Sequence, residues 1–504
     1  MYLMRNRWNL LILLTVFMFV LKVDIGKFMF RTPTDQPDSW EYHTVAVNYS
    51  RTGEFPLMGI LPGIDYNLDE IPHENGMLEY FRCVFESKSA NVLTSKPPLY
   101  SFLLGKIYSL GNGGFKDGYW LNLFFLVTTL FFLILISHQI NKRWGWILGT
   151  IAAIIYIHWG SWSLSDILPE LTLTAFLSVL VFLSVWKSQK TGFVNFLLGA
   201  TLGILFLIKG MVIFLILFYP ICRFLFFSNG KKRVHNLLFY LSGLFVILFP
   251  WQIIKSEILN KQQPGHYNSG KLIRCESALD IFEDSRKELI KKTTRHYYNI
   301  GEANENYFLV SNQANLDELL GVHNEYAIDG QWHPEWRFIP EAIYNNRYLK
   351  HGPILKIIHF YWEHPEMIWK IGIAKLRSSC EKMNFPFLFL SIYLFGLVQI
   401  IYLARKKTFY TRILMVAFSI GVFCLTNQYA INLCISLSIL TFMFGLILMV
   451  RKRREDYSVF FPLLSLNSIL FVCAFFGAPR FVEIIEPFNI LSGLFYTYYI
   501  VKSI

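Results

Sequence analysis

Four short motifs set charged side chains at the ends of long apolar runs. The first is Thr34-Asp35-Gln36-Pro37-Asp38-Ser39-Trp40-Glu41-Tyr42. A carboxylate such as Asp38 can take the proton from an attacking hydroxyl. The second, Ser95-Lys96-Pro97-Pro98-Leu99-Tyr100, supplies a cation beside two prolines. A lone lysine at an apolar edge usually only snorkels to water, yet Lys96 would also lie at the membrane face. The third, Leu164-Ser165-Asp166-Ile167-Leu168-Pro169-Glu170, places two carboxylates where burial is costly unless they are paired or used. The fourth, Gly477-Ala478-Pro479-Arg480-Phe481, is followed by Glu483, Glu486 and Pro487. Arg480 is a fixed cation whose planar fork suits a phosphate.

These residues need elements to hold them. From Ser39 to about Arg51 the pattern is helical: Tyr42, Val45, Ala46 and Tyr49 fall on one face. Thr52-Gly53 should end that helix. Asp38 followed by Glu41 also fits a capping box, which would explain both acids by fold alone. Position adds the functional reading, because a carboxylate at a helix start just beyond an apolar span lies where a lipid headgroup would sit. Pro97 and Pro98 fix the start of a second helix, whose apolar stretch Ser101–Leu110 is too short to cross a bilayer and suits an interfacial segment.

The whole chain explains why so many motifs border apolar runs. Of its 504 residues, 54% are hydrophobic and only 16% charged. Mean hydropathy is +0.39. Soluble domains carry about a quarter of charged residues, so a soluble multidomain protein, a disordered chain and a disulfide-knotted module are all excluded. The net charge of +12 does not point to nucleic acid, because the basic residues cluster between the apolar runs.

We count about twelve candidate spans of the length a bilayer requires. They lie near 8–25, 119–138, 145–161, 169–186, 193–208, 210–227, 236–255, 386–403, 411–427, 431–450, 457–476 and 488–501. The first is read as an uncleaved anchor behind Arg5 and Arg7. Two spans almost touch at Lys209–Gly210. Every second connector is basic: Lys142 and Arg143; Lys187 and Lys190; Lys231 to Arg233; Arg405 to Lys407; Arg451 to Arg454. Basic short loops stay cytoplasmic, so both termini are expected in the cytoplasm and residues 27–118 and 256–385 outside.

The expected fold is therefore an all-α polytopic membrane protein. Residues 1–255 form an N-terminal transmembrane module whose first outer loop is 27–118. Residues 256–385 form an extracytoplasmic segment, a small mixed or α domain, and 386–504 a C-terminal transmembrane module. No internal repeat is visible. Cys83, Cys275 and Cys380 fall outside the spans; Cys83 with Cys275 is the favoured disulfide, although spacing does not give connectivity. His351, His359 and His364 lack metal-ligand spacing and are read as solvated or interfacial.

In order and topology the motifs resemble the GT-C membrane glycosyltransferases. The nearest likeness is to bacterial protein O-mannosyltransferases and lipid A aminoarabinose transferases. The resemblance rests on Asp38-x-x-x-Tyr42-x-x-x-Ala46-x-Asn48, Thr52-Gly53-Glu54-Phe55, Lys96-Pro97-Pro98-Leu99-Tyr100, and Pro479-Arg480-Phe481 ahead of Pro487-Phe488. It implies a polyprenyl-phosphate-linked sugar donor, used at the extracytoplasmic face of the plasma (inner) membrane, with a lipid, glycan or protein acceptor. Asp38 then takes the place of the catalytic acid, and Lys96 and Arg480 those of donor-phosphate ligands. Glu170 matches the second-loop acid, with Asp166 as a competing alignment; Asp35 and Glu41 are supporting acids. The family often has Asp-Glu where this chain has Asp38-Ser39, and Tyr where it has Phe481. No cofactor is required, and a divalent cation is compatible; no metal site is assigned. Two other classes fit a chain of this kind, a flippase or transporter of lipid-linked sugars and a surface-polysaccharide polymerase or ligase. A flippase would use charges inside its spans, and these spans hold almost none.

Overall fold

A computed structural model describes residues 37–58, 61, 63–66, 91–92, 97–111, 113–160, 162, 164, 167–186, 192–221, 232–261, 394, 398, 460–474 and 484–503. The described part is helical except for a two-residue antiparallel pairing of β1 (Leu57–Met58) with β2 (Asn91–Val92), in register Leu57 to Val92 and Met58 to Asn91. The expectations for 8–25, for 386–459 apart from residues 394 and 398, and for 262–385 lie outside the described residues.

Helix α1 (Pro37–Thr52) starts two residues before the sequence pattern does. Proline is well placed at a first helical position, where its missing N–H is not needed. Asp38 therefore stands inside the first turn, not at the cap, and the capping-box reading does not describe this backbone. Of the expected apolar face Tyr42, Val45 and Ala46 are buried and Tyr49 half-buried, but burial is not confined to it: His43, Thr44, Val47 and Asn48 are buried too. Gly53 ends the helix with φ of +75°, and its N–H reaches back to the Tyr49 carbonyl at 2.9 Å. Helix α2 (Leu99–Leu110) follows the two prolines and packs along α1.

Helices α3 (Phe115–Ile140), α4 (Gly145–Trp159), α5 (Glu170–Val185) and α6 (Gly192–Ile208) are predominantly apolar, with the charges of α3 and α5 in their first turns. A 3₁₀ turn (Gly210–Val212) leads to α7 (Ile213–Pro220). Then come α8 (Lys232–Lys261), α9 (Phe460–Ala474) and α10 (Glu486–Ser503). Helix α3 packs between α4 and α5, α5 touches α6, and α6 lies along α8. The C-terminal helices return to this layer, α10 against α4 and α9 against α7.

The α6–α8 contact is backbone to backbone. A Cβ on Gly199 would collide with the Tyr240 carbonyl, and one on Gly243 with the Phe196 carbonyl. Small residues that let helices meet this closely are the packing device of helices whose surroundings are already apolar. Several hydroxyls inside the layer are satisfied locally: Thr129, Ser178 and Ser184 each donate to the carbonyl four residues earlier.

Among the described residues two helices are long and apolar enough to cross a membrane: Phe115–Ile140, with mean hydropathy 2.3, and Val234–Ser256, with mean hydropathy 2.0. Helices α4 and α5 are shorter than the expected spans, whereas α6 and α10 are slightly longer than theirs. Helix α5 has 16 residues, about 24 Å, against a hydrocarbon core of about 30 Å. The expected span 210–227 is not one helix among the described residues. Lys209 is extended, with φ −159° and ψ 126°, and the chain makes a 3₁₀ turn before α7 starts. Asn467 of α9 satisfies the interrupted backbone, accepting from Leu215 N at 2.8 Å and donating to Met211 O at 3.3 Å.

Candidate functional site

Contacts among the described residues join several elements that adjoin the motifs. Tyr42, one turn after Asp38, sets its ring edge-on to Tyr100 with centroids 5.2 Å apart. Tyr100 is the second residue of α2 and lies four residues after Lys96. Its hydroxyl points at Asn122 Oδ1 of α3 at 3.4 Å, and Asn122 Nδ2 donates to the Leu164 carbonyl at 3.2 Å. Leu164 opens the third motif. The first, second and third motifs are thus linked through α3, the last step ending on the Leu164 backbone carbonyl.

A buried polar core holds α1 in this position. His43 is fully buried, and its ring stacks on Phe115 with centroids 4.0 Å apart. Its Nε2 lies 3.0 Å from the Tyr66 carbonyl, which can only accept, so Nε2 carries the proton. Nδ1 is then the acceptor for the Tyr108 hydroxyl at 2.8 Å. Burial pushes the His43 imidazole down to about 4, against a smaller upward pull from the Tyr66 carbonyl. The Tyr66 hydroxyl donates to Asn48 Oδ1 and receives Leu61 N–H at 2.8 Å. Helices α1 and α2 and the start of α3 are therefore fastened by a neutral, hydrogen-bonded cluster.

The third motif ends in an ion pair. Glu170, the first residue of α5, contacts the ammonium of Lys209, which follows the last residue of α6. The side chains are 17% and 14% exposed, respectively. Each charge also suits its helix end, an acid at an N-terminus and a base at a C-terminus. One turn on, the Thr174 hydroxyl reaches both the Glu170 carbonyl at 2.9 Å and the Ile484 carbonyl at 3.2 Å. Ile484 lies four residues after Arg480, and Glu486, two further on, is buried at the start of α10. The approach to the last helix is thus tied to the same end of α5. Helix α2 also touches α6.

Asp35, Lys96, Asp166 and Arg480 lie outside the described residues. Asp38 enters as a backbone position in the first turn of α1, on the same side as Tyr42 by helical spacing. Glu41 is half-buried on α1 and its carbonyl accepts from the Thr44 hydroxyl at 3.2 Å. Glu170 is the one expected site residue whose side chain and ion-pair partner are both described. Sequence reasoning passed over Lys209 and His43. The clue for Lys209 was its place beside Gly210 between two apolar runs, a costly site for a lone cation. For His43 it was a polar residue flanked by the apolar face of a helix. Among the described residues no three His, Cys, Asp or Glu side chains gather as a metal-ligand set.

No protein-family model, curated protein or solved structure matches this chain.

Proposed function

We propose that this protein is a GT-C-type membrane glycosyltransferase. It moves a sugar from a polyprenyl-phosphate donor to an acceptor hydroxyl at the extracytoplasmic face of the plasma membrane. The observation that carries the reading is the chain of contacts from Tyr42 through Tyr100 and Asn122 to Leu164, beside the Glu170–Lys209 pair and the Thr174–Ile484 bond. These contacts join elements that adjoin motifs far apart in sequence, which supports reading them as one site. The membrane setting is supported by α3. It carries Lys116 and Trp120 near its start and is followed by Lys142, Arg143 and Trp144, the cation-and-tryptophan girdle of a spanning helix. In the proposed topology about twelve spans leave both termini in the cytoplasm.

The reaction is a single displacement at the anomeric carbon. The acceptor oxygen forms the new C–O bond as its proton passes to the Asp38 carboxylate. The bond from the anomeric carbon to the phosphate oxygen breaks, and its electron pair leaves with the polyprenyl phosphate. Lys96 and Arg480 stabilise that anion. A phosphate that is already ionised needs no proton to depart, so one base suffices and the configuration inverts. Glu170 is committed to Lys209 and supports the site as a fixed charge pair. A divalent cation is compatible with this scheme but no step depends on one.

Polyprenyl-phosphate release tests the class. Purified protein supplied with a lipid-linked sugar and an acceptor extract should release polyprenyl phosphate. Movement of the intact lipid between leaflets without release would identify a flippase instead.

A further inference from the structure

The corner between α2 and α3 carries cations that the transfer reaction does not use. Lys106 lies one turn before the end of α2 and is exposed. Its ammonium rests over the Tyr49 ring at 5.1 Å and the Phe102 ring at 5.6 Å. Lys116 is exposed in the first turn of α3. Neither lysine has a carboxylate partner among the described residues. The two helix ends abut, because a Cβ on Gly111 would collide with the Asp117 carboxylate. Asp117 itself is turned into the connection, accepting from Gly113 N at 2.9 Å. The Arg51 guanidinium lies beside the same turn, 3.4 Å from where a Gly113 Cβ would stand.

The apolar side chains at this corner face outward. Leu110 is 87% exposed, Trp120 64% and Phe124 63%. Lys116, Trp120 and Phe124 follow one another at helical spacing, so one exposed stripe runs from a cation through an amphipathic ring to a plain hydrocarbon. That gradient matches the depth profile of a membrane interface. Leu110, at the end of the interfacial α2, is positioned to enter the acyl region beside it.

We propose that this corner is a binding site for an anionic phospholipid. Lys106 and Lys116 hold the headgroup phosphate while Leu110, Trp120 and Phe124 pack on the chains. An anionic headgroup fits best, because Lys106 and Lys116 have no carboxylate partner among the described residues and a zwitterionic headgroup would bring its own cation beside them. Its consequence is local: a lipid held here would fasten α2, and with it the segment that carries Lys96, to the membrane surface. The inference rests on reading α3 as a membrane span.

The test uses the full-length protein in detergent, titrated with phosphatidylglycerol or with phosphatidylcholine of identical chains. Bound lipid is counted by native mass spectrometry. Each lysine near an anionic surface is worth about fivefold in binding, so wild type should favour phosphatidylglycerol by at least that factor. The Lys106→Gln/Lys116→Gln double variant should lose the preference while keeping its melting temperature in phosphatidylcholine. Equal uptake of both lipids by wild type, or an undiminished preference in the double variant, overturns the proposal. Displacement of phosphatidylglycerol by excess inorganic phosphate also overturns it, since the site would then recognise phosphate and not lipid. Alkaline carbonate extraction separates the two layers of the argument: release of the chain from membranes contradicts the span reading itself.

Discussion

Lys209 closes an ion pair with Glu170 across the ends of two helices, with both side chains more than four-fifths buried. Removing one member leaves the other charged and buried, which typically costs about 3–5 kcal/mol. Glu170→Gln and Lys209→Met should therefore each lower the melting temperature of the detergent-solubilised protein. The double variant should lose less than the sum of the two, because neither charge is stranded. Strict additivity would mean that the two side chains do not depend on one another.

His43 gives a dependence on pH with a definite sign. Its imidazole titrates near 4 in the folded protein against an ordinary 6.5. Between those values the unfolded chain binds a proton that the folded one does not. Stability is therefore fully present above about pH 6.5, falls as pH drops through that window, and levels off below about 4. The full loss is about 3 kcal/mol, at 1.36 kcal/mol per pH unit. Melting temperatures at pH 7.5 and pH 5 should differ more for wild type than for His43→Gln. An equal difference in the two proteins would show that other groups dominate.

Much of the helical order is legible in the sequence because lipid-like segments announce themselves by composition. Helix α3 appears as a long, mostly apolar run, and the end of α1 at Thr52-Gly53 follows from glycine's access to positive φ. The break at Lys209–Gly210 is also visible, as a cation and a flexible residue inside an apolar stretch. Its partners are not. Glu170 lies on another helix, and Asn467, which satisfies the broken backbone, lies more than 250 residues further on. His43 is similar: its hydrogen bonds go to Tyr108 and Tyr66, which only the fold brings near. Periodicity reports which face a helix buries, but it cannot say what a buried polar group will find there. It also misjudged the start of α1, where a proline at the first position moved Asp38 from the cap into the first turn.

For the donor phosphate we expect Lys96→Ala and Arg480→Ala each to lose activity through donor handling. Loss of one charge-assisted contact to a phosphate in a desolvated site is worth a few kcal/mol. Protein abundance should hold. The measurement is rate against donor concentration, and wild-type turnover of Lys96→Ala at limiting donor would remove that residue from the site.

Topology is open to labelling. With the basic connectors inside, residues 256–385 belong outside. A cysteine placed by Asn315→Cys should react with a membrane-impermeant reagent in intact cells. Reaction only after lysis would invert the orientation and put the proposed site in the wrong compartment.

The most direct test of the central claim is polyprenyl-phosphate release by Asp38→Asn, run beside Asp35→Asn. Asparagine in the first turn of α1 gives up only the interaction of a carboxylate with the helix dipole, about 0.3–1 kcal/mol, so the protein should fold, insert and bind donor. An amide cannot take the acceptor's proton, and a general base is worth about 10²–10⁴ in rate. We expect release by Asp38→Asn to fall by a factor in that range while Asp35→Asn keeps most of its activity. Release by Asp38→Asn at the wild-type rate would contradict the proposed mechanism.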